Sequence, residues 1–109
     1  MSHDVHNRIG LALAQRIAAG LPDHPEWVDI ARHNLDRWRE LNADSPSLLK
    51  CYAEWRAVLR RPVGEICALL TAETEEGRRL RQDPPFPGVL SPSEVWEIKR
   101  RCRHETISA

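Results

Sequence analysis

Along this 109-residue chain the apolar positions recur at spacings of three and four and nowhere alternate for long with polar ones, a pattern that predicts helices and no sheet. Val5, Ile9, Leu13 and Ile17 stack on one face of a first helix over 4–19, with Gly20 as its expected C-terminal cap and Pro22 barring continuation. A second helix is expected from about Pro25, capped by Asp23 or His24. Its stripe is Trp27, Ile30, Ala31, Asn34, Trp38 and Leu41, widened by Val28 and Leu35. Ser45 and Pro46 read as cap and first residue of a third helix reaching about Arg60, with Leu48, Tyr52, Trp55 and Leu59 facing the core. Pro62 stops that helix and opens a short fourth one carrying Val63, Ile66, Cys67, Leu69 and Leu70.

After this the pattern weakens. Residues 71–76 are rich in acid, Gly77 disfavours a continuous helix, and 78–81 is expected to add a short helical piece. Pro84, Pro85 and Pro87 then force a rigid, non-helical connector over 83–90. The clearest start signal in the chain follows. Ser91-Pro92-Ser93-Glu94 reads as a capping box, and Leu90 is placed to staple onto Val95. The last helix is expected to run to about His104 with Val95, Ile98 and Cys102 inward. The expected fold is all-α: a compact bundle of four to five helices with a Pro-linked C-terminal helix. It forms one domain, comprising a body over 1–82, the connector over 83–90, and the final helix and tail over 91–109.

Composition narrows the function classes. The chain is 41% hydrophobic and 29% charged, enough for a core, and no apolar run approaches the roughly 18 residues that cross a bilayer. Three cysteines without short spacing argue against a disulfide framework or a zinc knuckle, and the first residues lack a secretory pattern, so a cytoplasmic location is expected. Sixteen basic and sixteen acidic residues cancel, but unevenly. The first 77 residues hold nine basic and twelve acidic, whereas 78–104 hold seven basic and three acidic. Fourteen of the sixteen basic residues are Arg, whose planar fork suits carboxylates and phosphates. The bland reading of the basic segment is a solvated helix face; the functional one is a docking arm.

Catalytic patterns are poor. His3 and His6 have a metal-ligand spacing but no partner ligands, and Cys102 and His104 point in different directions on a helix. No histidine follows an Arg at the offset that small helical ribonucleases of the HEPN type use. Cys51 and Cys67 lie among Leu and Trp and read as small buried hydrophobes; the glycines form no phosphate loop. No cofactor and no metal are expected. A helix-turn-helix over 45–70 would have a reading helix poor in Arg, Asn and Gln. Trp27, Trp38 and Trp55 belong to core stripes. Trp96 lies about 100° around its helix from Val95 and reads either as an edge of the core or as an exposed interface residue.

Leu80-Arg81-Gln82, followed by Pro85-Phe86, Gly88-Val89-Leu90-Ser91-Pro92, Glu94, Trp96 and Ile98, resembles the ending of a group of small bacterial all-helical proteins. Asn34-Leu35, Arg37-Trp38 and Glu54-Trp55 are similar to their middle. The resemblance spans 9–104 and implies an antitoxin-like partner of nucleotidyltransferase-type toxins, with no active-site residue to carry over. The expected function is therefore a non-enzymatic protein-interaction module, the antitoxin or accessory half of a bacterial toxin–antitoxin pair. Phe86, Leu90 and Trp96 are its expected apolar anchors, and Arg78, Arg79, Arg81, Arg100, Arg101 and Arg103 its charged contacts. On this reading a chain cut after Gln82 folds but loses its partner. Two other partners stay open: nucleic acid, gripped by the same basic arm, and a second copy of the chain. An enzyme using Glu65 or Glu73 is a remote third reading.

Overall fold

A computed structural model describes the backbone over residues 2–108 and the side chains over 5–105. The described residues form six helices and no strand: α1 (Ser2–Gly20), α2 (Glu26–Leu41), α3 (Pro46–Val58), α4 (Val63–Thr71), α5 (Glu75–Leu80) and α6 (Pro92–Ser108). The all-α class follows from the three-and-four spacing. The extra helix arises between Thr71 and Arg81. There the Thr74 side chain accepts the backbone N–H of Gly77 at 3.1 Å, so a new helix starts at Glu75 and runs through Gly77.

Gly77 is buried in that helix because nothing larger fits. A Cβ there would lie 2.5 Å from the Ala72 carbonyl oxygen, a backbone atom with no room to retreat. Gly77→Ala is expected to cost about 1–3 kcal/mol, as overpacking does. Urea denaturation checks this; unchanged stability would contradict the close approach.

α1 packs against both α4 and α6, α2 against α3, and α5 against α4. Trp55 of α3 is wholly buried at the centre, its indole N–H donating to the Leu80 carbonyl at 3.1 Å and its ring meeting Phe86 edge-on at 6.0 Å. Leu21, Leu35, Leu59, Ile66, Leu70 and Leu80 complete the dry centre.

The expected stripes are largely the buried ones, with exceptions that have local causes. Gly20 takes no left-handed turn; it is the last residue of α1, and its bare Cα admits the Trp27 ring, which a Cβ would meet at 2.5 Å. Neither Asp23 nor His24 caps α2, since Pro25 occupies the cap position. The His24 ring instead stacks on Trp27 at 4.8 Å. Leu41, expected inward, is 73% exposed at the end of α2. Half of the expected capping box forms in α6: Ser91 Oγ accepts the Glu94 N–H at 3.2 Å, while the Glu94 carboxylate reaches across to Arg16 of α1 at 2.6 Å.

The C-terminal helix is not a free arm. Ile98 and Cys102 are buried in the same core as Ile9 and Ile17 of α1. The connector is tied down as well. Prolines lack N–H groups but keep carbonyls that need donors. Asn34, buried on α2, gives its side-chain amide to the carbonyls of Pro85 and Pro87, each at 3.0 Å. Its own oxygen accepts from Arg37 at 3.2 Å.

Candidate functional site

The expected contact residues separate into three kinds. Phe86 and Leu90, 3% and 8% exposed, belong to the protein's own core, so the expectation that they are apolar anchors for a partner is corrected. Trp96 is 61% exposed and stands on the outward face of α6. Arg100 and Arg103 follow at i+4 and i+7, on the same stripe. The Arg100 guanidinium lies 5.6 Å from the Trp96 ring centre and donates to both oxygens of Glu97, at 2.7 and 3.3 Å. This bond holds the Glu97 carboxyl below its ordinary value and raises Arg100. Arg103 is exposed on that stripe, whereas Arg101, also exposed, turns toward the groove beside α1. The inward residues of α6 are fixed in the core, so this aromatic and basic stripe is presented by a rigid element.

The remaining arginines show how local charge misleads. Arg79 is bound to Glu54 of α3 at 2.7 Å, which lowers the Glu54 carboxyl. Arg56 pairs with Asp36, and Arg32 donates to the Leu59 carbonyl at 3.1 Å. Arg81 is half-buried and donates from Nη1 to the carbonyls of Leu70 and Ala72, at 2.9 and 2.6 Å, where α4 ends. Burial, then the neighbouring Arg78 charge, lowers its hold on its proton. Arg78 donates to the Glu73 carbonyl at 3.1 Å. Arg79 and Arg81 thus brace the fold.

Arg78 and Arg81 also line a groove of about 630 Å³ between the first half of α1 and the end of α5. His6, Asn7 and Arg8 form the α1 wall, a stretch the sequence pattern treats only as a helix end. A second groove of about 340 Å³ lies between α1 and α6 and is lined by Glu94, Glu97 and Glu105 with Arg16 and Arg101.

Nucleophile chemistry finds little support. Burial raises the thiols of Cys51 and Cys67, helped at Cys51 by the charges of Asp83 and Glu54, and Cys67 donates to the Ala18 carbonyl at 3.4 Å. Three or more metal-ligating side chains converge nowhere among the described residues; the His3 side chain lies outside them. No described helix is long and apolar enough to cross a membrane. No protein-family model, curated protein or solved structure matches this chain.

Proposed function

We propose that the protein is a non-enzymatic cytoplasmic interaction module, the antitoxin-like or accessory half of a bacterial toxin–antitoxin pair, and that it docks its partner through the outward face of α6. One observation carries this reading: Trp96 stands exposed beside Arg100 on a helix whose other face is locked in the core. Leaving such a ring in water forgoes about 2–4 kcal/mol of burial. Trp and Arg are the side chains that dominate binding energy when an interface closes over them. Arg100, paired with Glu97, lies over the ring, and Arg103 follows on the same stripe, so the complementary partner is a protein with an acidic surface around an apolar notch.

The test is co-expression with the product of the adjacent reading frame. Trp96→Ala is expected to leave the melting temperature unchanged and to weaken the complex by about ten- to thirty-fold, as removal of a hot-spot residue does. Equal affinity of variant and parent would reject the α6 face. If the neighbour's product does not bind while oligonucleotides do, with a steep loss of affinity between low and moderate salt, the arginines serve phosphates instead.

A further inference from the structure

The groove between α1 and α5 holds a different kind of basic site. Arg16, Arg56, Arg79 and Arg100 are each paired with a carboxylate. Arg78 and Arg81 are held by backbone carbonyls instead, those of Glu73, Leu70 and Ala72. A carbonyl fixes a guanidinium in place without cancelling its charge. Two cations are therefore held beside each other in one groove, near enough for Arg78 to destabilise the charge on Arg81. A guanidinium has five N–H donors. The carbonyls of Leu70 and Ala72 engage Arg81 through Nη1, which leaves the edge formed by Nε and Nη2 for a bidentate acceptor.

His6, Asn7 and Arg8 form the α1 wall, Gln82 adds an amide, and Glu73 is the one acid among the described residues of the lining. A bound anion would relieve the repulsion between the arginines without having to order them first.

We infer that this groove binds the phosphate group of a small phosphorylated molecule. Its volume of about 630 Å³ lies within the range of small-molecule sites and exceeds what a lone phosphate fills. Among the described residues of the lining Leu11 is the one large apolar side chain and none is aromatic, so recognition rests on the phosphate and not on a stacked base. The site is separate from the outward stripe of α6, and its test does not depend on that reading.

The probe is inorganic pyrophosphate, titrated calorimetrically into the full-length protein at low chloride, with thermal melts in parallel. Saturable one-to-one binding and a raised melting temperature are expected. Arg78→Gln should weaken binding at least ten-fold while leaving the unliganded melt unchanged, and Arg103→Gln on α6 should bind as the parent does. Should Arg78→Gln not fold, Asn7→Asp places a negative charge in the groove from an exposed helical position and is expected to weaken binding equally. The inference is overturned if pyrophosphate gives no saturable binding, if both groove variants bind it as tightly as the parent, or if an oligonucleotide binds and pyrophosphate does not displace it.

Discussion

A chain ending at Gln82 is expected not to fold. Such a truncation removes Pro85, Phe86, Leu90, Ile98 and Cys102 from the core and strips the edge-on partner from the Trp55 ring. It also uncovers the face of α1 on which α6 rests. Losing one large buried side chain costs about 2–5 kcal/mol, and several such losses together exceed the 5–15 kcal/mol that keeps an ordinary domain folded. Far-ultraviolet circular dichroism of the truncated chain should show no cooperative melt. A sharp transition would mean that the last helix is an appendage after all.

Asn34→Ala is expected to be the most damaging polar substitution, at about 2–4 kcal/mol. The amide of Asn34 satisfies two carbonyls of a connector that has few donors of its own, and the carbonyl of Pro85 lies in the interior. Removing the amide leaves the Pro85 acceptor dry, at roughly 1–3 kcal/mol for a buried group, and takes the bond from the part-buried Pro87 acceptor as well, at about 1 kcal/mol. Asn34→Asp should be worse, because it replaces the donor with a third acceptor. Arg37→Ala removes the bond to the other end of the same amide at the surface and should cost under 1 kcal/mol, in the range of an ordinary hydrogen bond. Chemical denaturation of the three variants separates these cases. Equal stability of Asn34→Ala and the parent would show that the connector is held by its apolar residues alone.

The helices were legible because their signals are local. Spacing places Trp55 and Tyr52 inward, and Ser91 with Pro92 marks the start of α6 from four consecutive residues. Trp96 was only half legible: its angle from Val95 left both an edge of the core and an exposed position open, and the packing of α6 on α1 decides for exposure. What could not be read depends on partners distant in the chain. Three prolines look like a linker until Asn34, some fifty positions earlier, is seen to hold their carbonyls. An Arg-rich run looks like a docking arm until Arg79 finds Glu54 and Arg81 finds the end of α4. Local charge excess counts cations and cannot tell which are neutralised, which are braces, and which remain available. The groove went unread for the same reason: Arg8 and Arg78 meet only after α1 has settled against α4.

The proposed role of the α6 stripe requires that the last helix be an integral part of the fold. Native-state hydrogen exchange tests that requirement most directly. The amides of Ile98 and Cys102 should exchange only through the opening that frees Ile17 and Leu35, with the same free energy as global unfolding. Exchange of the α6 amides many-fold faster than those of α1 would contradict it, and with it the rigid presentation of Trp96.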